Sequence, residues 1–276
     1  MILSLNRYRK RRASVSNVFL ITFLGIVQGL TEFLPVSSSG HLTIFSNFFE
    51  VELDAQNLKA FFAFLHLGTF FAVLLFTYKD VWNIFRGFFQ KEDRPDSMKL
   101  FWLLFVATVP AVVVALLFEE QIDIAFSSYL VSSFMLFITA FFLFVSDRLK
   151  GHRIMMDMAF KGALIIGLFQ AFSILPGISR SGATLFAALL IGLRRKEAVR
   201  FSFLLSLPIT LGAGLTQLSS VTIDYRFLFY GFAASFLAGL FGLWLLKKLV
   251  IQGKLKVFGI YCIIFGVASI VYFGVV

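Results

Sequence analysis

The chain has 276 residues, of which 59% are hydrophobic and only 14% are charged, and its mean hydropathy is +0.90. This composition lies outside the range of soluble domains and indicates an integral membrane protein. The net charge of +10 could suggest nucleic-acid binding, but the basic residues lie in short loops beside apolar runs, where anionic lipid headgroups are the expected partners. We therefore expect a membrane protein that binds the lipid bilayer and no nucleic acid.

The first residues have the form of a secretory signal peptide, because a basic cluster precedes an apolar run. The cluster comprises Arg7, Arg9, Lys10, Arg11 and Arg12. No A-x-A-like cleavage site follows, and the run leads directly into a polar motif. We therefore expect this segment to be retained.

Six long apolar runs are each close to the ~20 residues that a helix needs to cross a bilayer. They lie at about residues 60–76, 100–118, 127–145, 201–218, 227–246 and 257–276. Two other segments, 17–49 and 158–192, are too long for one span and contain Pro35 and Pro176. Proline removes a backbone donor and breaks a helix, so we predict two broken or re-entrant helix pairs. The predicted fold is a polytopic, all-α membrane bundle with six full spans.

The two broken segments are similar to each other at a shift of 142 residues, which indicates an ancient duplication. We predict one membrane domain, residues 1–276, with repeat halves at about 17–146 and 158–276. Three predicted spans separate the segments, so the second copy is inverted and the two tips should meet near the midplane. The matched pairs are Gly25 and Gly167, Gln28 and Gln170, Ser37 and Ser179, Ser38 and Arg180, Ser39 and Ser181, and Gly40 and Gly182.

Loop charges predict the orientation of the spans. Loops with clustered Lys and Arg are expected on the cytoplasmic side, and they lie at residues 79–99, 148–161, 194–200 and 247–256. Residues 119–127 and 221–226 and the C-terminus carry at most one such residue and are expected outside. The second broken segment therefore enters from the cytoplasm. Inversion places the N-terminus outside, whereas the basic cluster before Ser14 favours a cytoplasmic N-terminus. A first segment that crosses the membrane would satisfy these charges and give seven crossings. We prefer the inverted arrangement because it explains the repeat.

The first motif places a carboxylate at membrane depth, where charged groups usually mark a functional pathway. Gln28 and Glu32 are four residues apart and share one helix face. Pro35 should end that helix, and a half-helix should begin near Gly40 with its positive dipole end facing the same place. The three serines between Pro35 and Gly40 offer hydroxyl groups to an anion, and His41, directly after Gly40, offers a ring nitrogen.

The second motif, PGISRSGAT at residues 176–184, repeats the design and adds Arg180, a bidentate donor suited to phosphate. Together the two motifs predict a phosphate site with acid and base groups, which suits phosphoryl transfer. Glu32 and a histidine beside a diphosphate could also hold a divalent cation, Mg²⁺ or Ca²⁺, with substrate oxygens completing the shell. His66 lies in an apolar run and is expected to be structural, and Cys262 is expected to be a buried apolar filler.

The segments QGLTEFLPVSSSGHL and LPGISRSGAT, at residues 28–42 and 175–184, closely resemble the two signature motifs of the undecaprenyl-diphosphate phosphatase family, also called bacitracin-resistance proteins. The resemblance extends to residues 196–208, KEAVRFSFLLSLP, and covers essentially the whole chain. It implies a multi-pass enzyme of the bacterial cytoplasmic (inner) membrane, with its active site open to the outer, periplasmic face. Such an enzyme recycles the lipid carrier for peptidoglycan and other envelope polymers and confers bacitracin resistance.

The resemblance also assigns roles to residues. It implies four catalytic residues, and these are Glu32, Ser38, His41 and Arg180. The predicted substrate-binding residues are Gln28, Ser37, Ser39, Ser179, Ser181 and Thr184. Gln28 stands where the motif also allows Glu, so Glu32 is the only motif carboxylate and the only predicted metal ligand. The nucleophile stays open among Ser38, His41 and water, and assembly into homo-oligomers stays open too.

Two other functions share features with these motifs. An acid-phosphatase-like lipid phosphatase would need a His at Phe186 and an Asp at Leu190, so that family is excluded. A secondary transporter or flippase for a polyprenyl-phosphate lipid remains the alternative, because inverted repeats with broken helices are a transporter design.

Overall fold

The structure is a computed structural model, and it describes residues 2–49, 55–90, 94–126, 128–216 and 225–275. The predicted span and loop ends at 127, 217–218, 221–224 and 276 lie outside the described residues. The described chain is helical, with a short 3₁₀ turn at Met155–Asp157. The helices are α1 (Ile2–Phe33), α2 (Ser38–Phe48), α3 (Ala55–Phe76), α4 (Tyr78–Phe89), α5 (Arg94–Leu117), α6 (Glu119–Phe126), α7 (Tyr129–Arg148), α8 (Phe160–Phe172), α9 (Arg180–Leu190), α10 (Arg195–Leu215), α11 (Tyr225–Ile251) and α12 (Leu255–Val275).

The prediction of six spans is confirmed within the described residues. Helices α3, α5, α7, α10, α11 and α12 are each long and apolar enough to cross a membrane. Several begin or end several residues beyond the apolar run. Helix α5 begins at Arg94 with Pro95 in its first turn, where proline is well tolerated, and α11 continues through Lys247 and Lys248. Charged residues at such ends can reach the headgroup region, so hydropathy alone underestimates helix length.

The two polar segments form helix pairs that break at the expected places. The apolar part of α1, Val18–Phe33, is followed by a turn and the 11-residue α2. In the same way, the 13-residue α8 is followed by a turn and the 11-residue α9. Each of these apolar helices falls short of the ~20 residues that a span requires. We refer to α1–α2 and α8–α9 as the first and second hairpins.

The hairpins pack against spans of the opposite half of the chain. Helix α1 lies along α11, and α8 lies along α5, while α3 packs against α10 and α7 packs against α12. Without the short helices α4 and α6, each half of the described chain has five helices, which are α1, α2, α3, α5 and α7 in the first half and α8 to α12 in the second. In this count the first helix of each half packs against the fourth helix of the other half, the third against the third, and the fifth against the fifth. This reciprocal packing fits a two-fold relation between the halves, and because three spans lie between the hairpins it fits an inverted one. The division into halves by duplication stays a prediction.

Glycine brings each hairpin close to its neighbouring span. A Cβ atom on Gly25 of α1 would lie 2.6 Å from the Gly231 carbonyl oxygen of α11, and one on Gly167 of α8 would lie 2.7 Å from the Ala107 oxygen of α5. Small residues allow helix backbones to approach in membranes, where packing drives association. Gly25 and Gly167 are matched positions of the repeat, so their shared packing role explains why both are glycine.

Candidate active site

The first hairpin breaks because Pro35 cannot continue α1. The turn leads into Ser37, whose φ of 69° is rare for a residue other than glycine. Such backbone strain persists where surrounding contacts hold it, and it is common at functional sites. Ser37 Oγ accepts a hydrogen bond from the Gly40 N–H at 3.3 Å and so caps α2. The half-helix expected near Gly40 therefore begins at Ser38.

The second hairpin repeats this capping with a different turn. Ser179 Oγ accepts from the Gly182 N–H at 3.1 Å and caps α9. Gly177 in the turn has φ of +94°, and a Cβ there would lie 2.1 Å from the Ser132 carbonyl oxygen of α7. Only glycine fits this position, because both the conformation and the space exclude a side chain.

The two turns touch, so the N-termini of α2 and α9 meet in one place. The Gly177 N–H donates to Ser37 Oγ at 3.1 Å. Thr139 of α7 supports the second turn, because its hydroxyl donates to the Gly177 carbonyl at 2.9 Å and accepts from the Ser179 N–H at 2.9 Å. Thr139 was not predicted, since a lone threonine in an apolar span carries no motif signal.

The charged residues of the two motifs form a buried ion pair. The Arg180 guanidinium donates to Glu32 Oε1, and the two side chains are 14% and 5% exposed. Glu32 Oε2 accepts from Ser38 Oγ at 2.7 Å and from Gln28 Nε2 at 3.0 Å. A buried charge is costly unless it is paired and hydrogen-bonded, and this arrangement meets both conditions. The ion pair therefore joins the two hairpins at their tips.

The ion pair lines a cavity of about 380 Å³. Side chains from α5 and α10, among others, form the rest of its wall, and most of them are apolar. The apolar members are Ala111, Val112, Ala115, Leu116, Phe126, Ile174, Ile178, Pro208, Ile209 and Ala213. The cavity lining thus combines a charged pair with a mostly apolar wall.

Six of the ten predicted site residues line this cavity. They are Glu32, Ser37, Ser38, Ser39, Ser179 and Arg180. Gln28, Ser181 and Thr184 lie behind them: Ser181 Oγ contacts Ser179 Oγ at 3.2 Å, and Thr184 Oγ1 contacts Ser202 Oγ at 2.7 Å. The prediction that these three would face the substrate is not supported by their placement, because helix packing directs them into the protein. Catalytic and binding roles of all ten stay predictions.

His41 is the one predicted catalytic residue whose ring lies outside the cavity lining. Nδ1 is 2.7 Å from the Ser37 carbonyl oxygen, and Nε2 is 2.7 Å from the Tyr261 hydroxyl. The ring stacks on Phe265 with centroids 4.2 Å apart and is 1% exposed. Both nitrogens are occupied, so this placement does not suit the predicted role in nucleophilic attack or proton transfer.

His66 of α3 does line the cavity, although it was expected to be structural. Its Nε2 lies 3.7 Å from Glu32 Oε2, and its side chain is 24% exposed. No motif marks this residue. A histidine inside an otherwise apolar span is nevertheless a signal in itself, because ionisable groups at membrane depth usually face a cavity.

The described residues offer little to a resident metal ion. They contain no group of three or more His, Cys, Asp and Glu side chains that could hold one. Among the residues that the structure describes around the ion pair, Glu32 is the one carboxylate, and both of its oxygens already accept donors. Calcium and magnesium prefer several oxygen ligands, so the protein side chains alone do not fit such a cation.

Comparisons with known proteins identify the family. The family model for "Bacitracin resistance protein BacA" matches residues 21–268. A protein of Methanococcus vannielii named undecaprenyl-diphosphatase is 48% identical over 250 residues, which cover 90% of this chain and 98% of that protein. A protein of Thermosipho africanus with the same name is 46% identical over 246 residues, which cover 89% and 96%. The resemblance expected from the two motifs is thus confirmed, and the chain belongs to the bacitracin resistance protein BacA family.

Proposed function

We propose that this membrane protein hydrolyses undecaprenyl diphosphate to undecaprenyl phosphate and inorganic phosphate, the activity for which its relatives are named. The reaction recycles the lipid carrier for peptidoglycan and other envelope polymers, and it thereby confers bacitracin resistance. One observation carries the proposal at the level of structure: the buried Glu32–Arg180 pair lines a cavity whose wall is otherwise mostly apolar. A lipid diphosphate has the same division into a charged head and an apolar chain.

The diphosphate would bind at the tips of the hairpins. The N-termini of α2 and α9 carry first-turn N–H groups that have no partner within their own helix, and they carry positive dipole ends, which favour anions. Arg180 can bind two phosphate oxygens at once. Arg180 contacts Glu32 through one guanidinium nitrogen, so its other N–H groups would bind the phosphate while the ion pair with Glu32 is kept.

Ser38 would contact the terminal phosphate. Its hydroxyl lies 2.7 Å from Glu32 Oε2 and lines the cavity. Two roles suit this contact: a nucleophile held by its base, or a hydrogen-bond donor that Glu32 orients toward the phosphate. In both roles Glu32 fixes the positions of Ser38 and Arg180, so its removal should abolish turnover.

A divalent cation stays a proposal, and it would arrive with the substrate. Because the protein side chains alone do not fit a cation, most of its ligands would be diphosphate oxygens, with Glu32 as the protein ligand. Bound there, the ion would neutralise charge that develops on the phosphate oxygens.

We propose that the protein lies in the cytoplasmic membrane with the cavity open to the outer face. The distribution of Lys and Arg supports this orientation: residues 119–127 contain neither, whereas Arg148 ends α7 and Lys150 follows it. Glu120→Cys and Lys150→Cys, each in a Cys262→Ser background, test this orientation when intact cells are labelled with a membrane-impermeant maleimide. We expect labelling of Glu120→Cys alone, and labelling of Lys150→Cys alone would reverse the assignment.

Assembly into homo-oligomers is a separate question, and the native mass of the protein in detergent will decide it.

The test of the activity is phosphate release from undecaprenyl diphosphate by purified protein in detergent, with and without EDTA. Wild type should release phosphate, and Glu32→Gln should bind the lipid and release none. Inhibition by EDTA would support the cation. If wild type binds the lipid but releases no phosphate with any divalent metal, the transporter alternative takes its place.

A further inference from the structure

His41 and His66 hold their rings in the same way but differ at the second nitrogen. Each Nδ1 lies within hydrogen-bond distance of the carbonyl oxygen four residues earlier, at 2.7 Å from Ser37 and 2.8 Å from Phe62. A carbonyl oxygen can only accept, so Nδ1 carries the hydrogen in both rings. In the neutral rings, Nε2 is therefore an acceptor.

The two acceptors have different surroundings. His41 Nε2 is occupied by the Tyr261 hydroxyl at 2.7 Å, outside the cavity. His66 belongs to the cavity lining, and among the described residues no donor occupies its Nε2. Its distance of 3.7 Å from Glu32 Oε2 is too long for a direct hydrogen bond between the two groups. The lone pair of His66 Nε2 is therefore available beside the Glu32–Arg180 pair, where Arg180 would hold a phosphate.

Glu32 is less suited to hold a water molecule for attack. Its Oε1 is paired with Arg180, and its Oε2 already accepts from Ser38 and Gln28. Phosphoryl transfer mostly proceeds through a loose transition state, in which catalysis depends on positioning and charge stabilisation more than on a strong base. A neutral acceptor that orients one water molecule is enough for such a reaction.

We propose that His66 is a further catalytic residue, whose Nε2 accepts a hydrogen bond from the attacking water and aims it at the terminal phosphorus. This inference rests on the proposed function and adds a residue outside both motifs. The water oxygen bonds to the terminal phosphorus as the bond from that phosphorus to the bridging oxygen breaks. The electron pair of the broken bond stays on undecaprenyl phosphate. Both water protons leave with the inorganic phosphate as dihydrogen phosphate, so His66 is unchanged after each turnover.

The test compares two replacements of His66 that differ in the acceptor. His66→Gln places an amide oxygen near the position of Nε2, and His66→Leu fills similar space without an acceptor. We expect His66→Leu to lower kcat about 10²-fold with little change in KM, because a misplaced reactant costs about that much. We expect His66→Gln to keep kcat within about tenfold of wild type, because an amide can orient water as well. His152→Leu, at an exposed loop position, is the matched control and should keep full activity.

Each outcome decides the proposal. If His66→Leu keeps wild-type kcat, or if His66→Gln is as slow as His66→Leu, an orienting acceptor is excluded. Detection of phosphate covalently bound to Ser38 during turnover would also overturn direct attack by water. Should His66→Leu fail to fold in a thermal unfolding assay, His66→Asn takes its place, because its amide can still contact the Phe62 carbonyl but is too short to reach the water. If wild type itself releases no phosphate, the proposed function fails, and this inference fails with it; loss confined to the variants concerns His66 alone.

Discussion

The two hairpins share a scaffold and differ in their chemistry. In both, a serine caps the half-helix, at Ser37 and at Ser179, and in both a glycine packs the preceding helix onto a span. The first hairpin carries Glu32, whereas the matched position in the second is Ile174. The second carries Arg180, whereas the matched position in the first is Ser38.

This difference separates structural from chemical positions. Residues that the copies share form turns, caps and close helix contacts, which both hairpins need for the same physical reasons. Residues that differ supply one anion and one cation, and these meet because the hairpins face each other. Two copies of the first hairpin would lack the cation, and two copies of the second would lack the carboxylate, so neither combination could form the ion pair. The site thus depends on the asymmetry of the repeat.

The largest expected effect follows from removing the cation of the second hairpin. Arg180→Ala should lower kcat/KM for phosphate release about 10³-fold, because it removes charge stabilisation inside a buried site. Arg180→Lys should recover only part of this loss, because an ammonium lacks the bidentate fork. Arg148→Ala, an exposed position at the end of α7, is the control and should be silent. A wild-type rate of phosphate release in Arg180→Ala would show that the positions at which the two hairpins differ do not carry the catalytic chemistry.

Ser38, the residue of the first hairpin that is matched to Arg180, should show a smaller effect when its hydroxyl is removed. Ser38→Ala should lower kcat about 10²-fold, the usual cost of losing one donor to a developing charge. Ser46→Ala on the same helix removes a hydroxyl that donates to the Thr43 carbonyl at 3.1 Å and does not line the cavity, and it should not alter the rate. Equal rates for the two variants would contradict a contact between Ser38 and substrate.

A change in the shared scaffold should act on stability first. Gly177→Ala should lower the free energy of unfolding by at least about 2 kcal/mol, because the new Cβ meets the Ser132 carbonyl and the backbone has positive φ. Gly212→Ala on α10 is the matched control, because its Cβ would meet nothing within 4 Å. Thermal unfolding in detergent measures both, and an unaltered midpoint for Gly177→Ala would contradict the described turn.

The smallest effect should come from the partner of His41. Tyr261→Phe removes the hydroxyl 2.7 Å from His41 Nε2 and should cost about 1 kcal/mol of unfolding free energy. The rate of phosphate release should stay close to wild type, since neither ring belongs to the cavity lining. A loss of kcat in Tyr261→Phe as large as that in Ser38→Ala would instead support a catalytic role for His41.

Sequence reasoning succeeded where the physics is local or periodic. Pro35 breaks a helix by itself, and six apolar runs have the length of a bilayer crossing, so both the breaks and the spans could be predicted. The meeting of Glu32 and Arg180 was expected from the inverted repeat. What could not be predicted depends on how separate helices pack. His41 faces Tyr261, 220 residues away, and His66 reaches Glu32 from another helix.

The two hairpins form one site through Glu32 and Arg180, and a double-mutant cycle of these two residues is the sharpest test of this arrangement. Phosphate release would be measured for wild type, Glu32→Gln, Arg180→Ala and the double variant. Residues that act as a unit have strongly non-additive effects on rate. We expect the double variant to be about as slow as the slower single variant. A double variant whose loss equals the product of the two single losses would show that the two residues act independently, and it would contradict a single site built from both hairpins.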